Sequence, residues 1–192
     1  CAGSDAGGIK TKAVKAGDGW LLSGSKAWIT NAGVAGYYIV MAVTGMRKSR
    51  SEISAFIVHA DDEGFAVGAP EDKMGMRGTR TAELFLDDVF LPEDRLLGRQ
   101  GAGLKLALEA LDGGRISVAA IALGISERAF ELAKSYAGER MAFGRKIADF
   151  QAIQFKFADM ATKIRAMELL TYDAAMKKAA GEKHTVEAAC AK

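Results

Sequence analysis

This 192-residue chain has two cysteines, two prolines and two histidines, and each scarcity excludes something. Cys1 and Cys190 stand at opposite ends, a spacing that fits neither a disulfide framework nor a metal site. His59 and His184 have no cysteine or carboxylate at ligand spacing, so no metal is expected. Few prolines, near-neutral charge and 49% hydrophobic residues exclude intrinsic disorder. No apolar run reaches the roughly 18 to 20 residues of a membrane span, so no membrane insertion is expected. The charged and apolar regions of a secretory signal are missing as well. An excess of one charge is also absent. The chain carries 26 basic and 24 acidic side chains, which argues against nucleic-acid binding by phosphate neutralisation. Walker, nucleophile-elbow and serine-triad signatures do not occur. What remains is a soluble, intracellular protein with enough apolar side chains for a core.

Composition changes near Gly103. Residues 1–103 hold 16 of the 22 glycines, both prolines and 14 alanines, whereas residues 104–192 hold six glycines and 21 alanines. Glycine and proline punctuate turns and alanine favours helix, so a β half precedes an α half. Strands are expected at Ile9–Ala16, Trp20–Ile29, Tyr37–Val43, Ile53–His59 and Ala82–Val89, with Asp18-Gly19 as a hairpin turn. Many strands without intervening helices suggest a small antiparallel barrel or sandwich.

In the α half, Leu104, Leu108, Leu111, Val118, Ile125 and Leu132 predict a helix from about Gly103 to Ala137. A second stripe runs from Ile147 through Phe157 and Ile164 to Leu170. The short link at 138–146 makes the two helices antiparallel neighbours in a bundle. A third helix opens near Thr185. The fold class is therefore α+β in two segregated parts, with domains at 1–102 and 103–192. Both chain ends fall inside patterned segments, which suggests a fragment of a larger protein.

Several residues break these local rules. On the first helix, Arg115 occupies an apolar-stripe position, with Asp112 three residues earlier. Two readings stand: a local Asp112–Arg115 pair at a helix interface, or a ligand site, which the mid-helix pair Gly113-Gly114 favours. Gly3-Ser4-Asp5-Ala6-Gly7-Gly8 is an ordinary turn or a loop offering N–H groups and a hydroxyl to phosphates. Trp28, beside Ile29 and Thr30, is a core residue or the flank of a flat aromatic cofactor. Arg140 and Phe143 lie in the turn between the long helices, and Gln151 lies off the apolar stripe. These residues alone do not name a reaction.

Taken in register, the segments carry a resemblance. Ala2-Gly3-Ser4-Asp5, Gly24-Ser25-Lys26-Ala27-Trp28-Ile29-Thr30-Asn31, Lys73-Met74-Gly75-Met76-Arg77 and Leu111-Asp112-Gly113-Gly114-Arg115-Ile116 are four of them. Glu139-Arg140-Met141-Ala142-Phe143-Gly144, Phe150-Gln151-Ala152-Ile153-Gln154 and Ala158-Asp159-Met160 follow. Together the segments resemble the acyl-CoA dehydrogenase family, most of all its short-chain (butyryl-CoA) branch, over essentially the whole chain. The resemblance implies the middle β domain and part of the C-terminal four-helix bundle of a flavoenzyme of fatty acid β-oxidation. Such an enzyme converts short acyl-CoA thioesters to trans-2-enoyl-CoA, with hydride passing to FAD N5 and electrons to an electron-transferring flavoprotein.

By the same resemblance, Gly3, Ser4, Trp28, Ile29 and Thr30 contact FAD, while Ser4, Asp112 and Arg115 face the acyl-CoA. Arg140, Phe143 and Gln151 contact the FAD of a neighbouring subunit, which implies a homo-oligomer, a tetramer in most of the family. Gly114 occupies the position where some branches carry the catalytic glutamate. No residue of this chain then fills the base's role, and the glutamate is expected beyond Lys192. Cys1 departs from the family's usual glycine. The bacterial cytoplasm and the mitochondrial matrix fit equally. An acyl-CoA oxidase-like relative, revealed by fast flavin reoxidation in air, and a non-catalytic FAD- or CoA-binding module are the alternatives. A purely structural helical scaffold leaves Arg115 and the paired glycines unexplained.

Overall fold

A computed structural model describes residues 2–192; Cys1 and the side chain of Arg47 lie outside the described residues. The chain separates into two compact units, the first ending at Ala107 and the second running from Leu108 to Lys192.

The first unit is built on seven strands: β1 (Lys12–Ala16), β2 (Gly19–Thr30), β3 (Tyr37–Arg47), β4 (Arg50–His59), β5 (Phe65–Pro70), β6 (Thr81–Pro92) and β7 (Leu96–Leu97). They form one sheet in the order β5-β6-β2-β1-β3-β4-β7. All pairs are antiparallel except β1 with β3, which meet in parallel at Lys12 and Val43. The α+β class is as expected from the sequence. Of the barrel-or-sandwich alternatives, a closed barrel is not formed, because the pairing of the described strands ends at β5 and at β7. β5 was not expected. It pairs along β6 at Phe65, Ala66 and Val67 and again, after a register shift, at Pro70.

In β6 inward residues alternate with outward ones, as in a strand buried on one face, whereas β4 is buried without interruption from Ile53 to Phe56. Leu84, Leu86, Val89 and Leu91 of β6 join Trp20, Leu22, Val40, Phe56 and Val58 in the core. Phe56, Leu22 and Leu84 are among its largest fully buried side chains. Trp20 meets Phe56 edge to face at 5.6 Å between centroids.

α1 (Gly103–Glu139) starts against this sheet. A Cβ on Gly103 would lie 2.5 Å from the Ser54 carbonyl carbon, so only glycine fits there. At 37 residues, α1 is about 55 Å long.

The second unit holds the rest of α1, a two-stranded hairpin of β8 (Met141–Ala142) and β9 (Arg145–Lys146), α2 (Gln151–Ala179) and α3 (Thr185–Ala191). Within it α1 and α2 run antiparallel. Gly113 of α1 lies beside Lys178, near the end of α2, and Phe130 packs on Phe157 at 5.6 Å. Two sequence expectations shift here. Ile147–Asp149 forms a 3₁₀ turn, so α2 begins at Gln151 rather than Ile147. The apolar stripe of α1 is exposed at Leu108, Leu111, Val118, Ile125 and Leu132, while Asp112, Ile116, Ala119 and Leu123 are buried. Periodicity found the helix but not the face that packs. Ile116, Ala174 and Ala188, one from each helix, form the small buried cluster that joins the three.

Candidate functional site

The first unit's candidate site lies where β2 loses register. Pairing with β6 is regular at Lys26–Leu84 and again at Ile29–Ala82, with a bulge between. Trp28 occupies the bulge with φ of 60°, an uncommon conformation for a bulky residue. The residue is 65% exposed. A large apolar ring held outward by a strained backbone is an unusual arrangement for a residue whose other use is core packing. Thr30 ends the strand exposed, its hydroxyl without a partner among the described residues, and Ile29 is half-buried between them.

Two clefts flank this stretch. One, of about 480 Å³, is lined by Ala2, Gly3, Ile9, Gly24 and Trp28 among others. The second, of about 540 Å³, takes Thr30, Asn31, Tyr37 and Met41. Ala2, Ile9, Lys26 and Ile29 line both. Gly24, at φ of 140°, lets the Thr11 backbone approach to 3.0 Å of where a Cβ would sit. Gly3 adopts φ of 45° and is exposed, as is Ser4, which does not line either cleft. The Gly3–Gly8 loop turns locally, with the Gly8 N–H donating to the Asp5 carbonyl at 2.9 Å.

Lys26 was quoted in the sequence without a role. It pairs in register with buried Leu84, so it lies on the inner face of β2, and its ammonium donates to the Met41 carbonyl at 2.6 Å. Burial lowers its pKa from 10.5 to about 8. The available signal was parity: Lys26 falls four and six residues after the inward positions Leu22 and Trp20.

In the second unit the structure brings Asp112 and Arg115 together and adds a third member. The Arg115 guanidinium donates to Asp112 Oδ1 at 2.6 Å, and the Thr185 hydroxyl of α3 donates to Asp112 Oδ2 at 2.7 Å. The local pair is thus formed and tied to another helix. Asp112 is buried, while the Arg115 side chain keeps 34% of its surface exposed and retains donors for a ligand. Of the two glycines, Gly113 accommodates Lys178, with Nζ 2.8 Å from where a Cβ would sit, and Gly114 faces open space. A second tie joins α2 to α3. Lys177 donates to Glu187 at 2.7 Å and pairs with Asp173 at 3.4 Å. The hydrogen bond to Glu187 is the largest of the causes that raise the Lys177 pKa.

Arg140, Phe143 and Gln151 gather around the β8–β9 hairpin, and all three are exposed. The Arg140 carbonyl accepts from the Ile147 N–H at 2.9 Å. Phe143 adopts φ of 51° and is 96% exposed, touching Phe150 edge to face at 6.1 Å. Phe143 and Trp28 are both aromatic rings presented outward from left-handed backbone. Among the described residues no cluster of three potential metal ligands exists, and no helix is long and apolar enough to cross a membrane.

These features define an α+β protein of two units, the first of which carries two clefts beside an outward Trp28. Comparison with known proteins gives the family. Residues 1–89 match the acyl-CoA dehydrogenase middle domain and residues 101–192 the acyl-CoA dehydrogenase C-terminal domain. A probable acyl-CoA dehydrogenase of Bacillus subtilis, YngJ, is 50% identical over all 192 residues, which cover 50% of its length. Butyryl-CoA dehydrogenase from Megasphaera elsdenii superposes with a TM-score of 0.90 at 47% identity, over 99% of this chain and 50% of that one. A chain in a solved structure of the electron transferring flavoprotein of Acidaminococcus fermentans gives 0.88 at 49% identity, over 99% and 50%. This chain belongs to the acyl-CoA dehydrogenase family, whose members are FAD-dependent oxidoreductases. It spans about half the length of the relatives it matches.

Proposed function

We propose that this chain supplies the flavin cleft and part of the acyl-CoA site of a dehydrogenase acting on short-chain acyl-CoA thioesters. Residues 1–102 are read as the family's middle β domain. Residues 103–192 are read as part of its C-terminal bundle. The carrying observation is the β2 bulge, where Trp28 is exposed at φ of 60° beside a cleft of about 480 Å³.

The residues present fit FAD. An outward indole gives a flat apolar face, the free Thr30 hydroxyl can donate to a ring nitrogen, and the exposed Gly3 and Ser4 amides can approach the ring edge. When bound, FAD supplies a two-electron acceptor. The chain's own residues hold it, exclude water from one face and present a donor at its edge. Arg115, oriented by Asp112, offers an anchoring charge for the thioester portion. Asp112 is the buried carboxylate of α1, but Arg115 and Thr185 occupy both of its oxygens, so it is not free to act as a base.

Arg140, Phe143 and Gln151 are assigned to the flavin of a second subunit in a homotetramer. An outward Phe143 ring with 96% exposure supports that assignment. An electron-transferring flavoprotein is the proposed electron acceptor, supported by the likeness to the Acidaminococcus structure. The proposed compartment is intracellular, where CoA thioesters and FAD are found.

The test is to load the chain with FAD, remove free flavin and add butyryl-CoA without oxygen. Retained flavin with a perturbed but unbleached band near ~450 nm is expected. Loss of all flavin on desalting would overturn the cleft assignment. Bleaching would show that a carboxylate of this chain acts as base.

A further inference from the structure

Lys26 is set apart from the other described lysines by its surroundings. It stands on the inner face of β2 in the wall shared by both clefts. The Met41 carbonyl is its hydrogen-bond acceptor, and among the described residues no carboxylate pairs with it. Lys73 is likewise held by carbonyls, those of Met76 and Thr79, but stands outside both clefts, whereas Lys15 is paired with Glu93, and Lys177 with Glu187 and Asp173. A carbonyl holds an ammonium in place but supplies no full charge to stabilise it, and the half-buried site disfavours the cation.

We infer that Lys26 is an acylation site, whose amine takes the acyl group from an acyl thioester entering the cleft. The ammonium first gives its proton to solvent. Nζ then attacks the thioester carbonyl carbon, a C–N bond forms and the C–S bond breaks. The thiolate leaves and takes up a proton, giving an amide and a free thiol with no change in oxidation state. Geometry and charge both favour the step. With its pKa near 8 rather than 10.5, Lys26 holds on the order of 200-fold more free amine at pH 7.5 than an ordinary lysine. The product removes a positive charge and places an acyl chain in the wall of both clefts.

The inference does not require the flavin reading but bears on it, since a ligand in the clefts would cover Lys26. The experiment incubates the flavin-free chain with butyryl-CoA and maps the butyrylated lysines by peptide mass. Lys26 is expected to react at least about tenfold faster than Lys177, with a rate that climbs to a plateau above pH 8. The Lys26→Arg variant can still donate to the Met41 carbonyl and is expected to lose that one adduct. Modification of Lys26 no faster than that of Lys177, or with no inflection near pH 8, overturns the inference. Repeating the reaction on the FAD-loaded chain separates the two readings. Slowed acylation supports both. Unslowed acylation supports the acylation site and counts against the flavin cleft.

Discussion

The two units of this chain solve the burial problem differently. The first encloses Phe56, Leu22, Leu84, Leu91, Val40 and Val58, all essentially inaccessible to solvent. The second joins its helices through Ile116, Ala174 and Ala188 and leaves Leu111, Val118, Ile125 and Leu132 of α1 exposed. The same contrast holds for lysine. Burial pushes Lys26 of the first unit down to about 8, whereas hydrogen bonding to Glu187 raises Lys177 of the second. A dense sheet core can hold a strained Trp28 and, at a cleft, an amine whose acceptor is a carbonyl and not a carboxylate. A thin helical core relies on polar ties such as Asp112–Thr185. Local strain persists where the surroundings over-determine it.

The sharpest way to break this contrast is through the cores. Phe56→Ala should cost about 3–5 kcal/mol and Ile116→Ala about 2, because small neighbours around Ile116 allow collapse. Hydrogen exchange resolved by unit measures both. Equal costs would remove the distinction. Next in size is Asp112→Ala, which leaves the Arg115 guanidinium and the Thr185 hydroxyl without their shared acceptor. A loss of about 2 kcal/mol confined to the helical unit is expected.

The pH response should differ in sign between units. Lys26 has a depressed folded pKa, so from about 8 to 10.5 the unfolded state binds more protons and stability rises with pH. After allowance for screening, the gain is on the order of 1–2 kcal/mol, and Lys26→Met should abolish the slope. Lys177 has a raised folded pKa, so its contribution is complete below 10.5 and is lost above it. Urea melts from pH 7 to 11 read both. The smallest effect is Trp28→Gly, which relieves the positive φ and should stabilise the first unit by up to about 1 kcal/mol.

Much of this architecture was readable in sequence because it rests on spacing. The α+β division followed from glycine and alanine usage, α1 from its periodicity and β2 from the Asp18-Gly19 turn before it. β5 escaped because Gly64, Gly68 and Pro70 carry turn chemistry while the Phe65–Val67 stretch is too short to show alternation. The buried face of α1 escaped because which stripe packs depends on a partner helix, and periodicity shows only that a stripe exists. Around the cleft, the segment from Gly24 to Asn31 marked the place, but the bulge that turns Trp28 outward is a property of pairing with β6. Lys26 escaped a role because a lysine in a strand reads as solvated until its inward parity is set against Leu84.

The most direct measurement is an FAD titration of the wild-type chain and of Trp28→Ala, followed by flavin fluorescence. Saturable binding that weakens at least about tenfold in the variant is expected if the β2 bulge presents the flavin's stacking face. Equal affinities for the two proteins would contradict the assignment of this cleft to FAD.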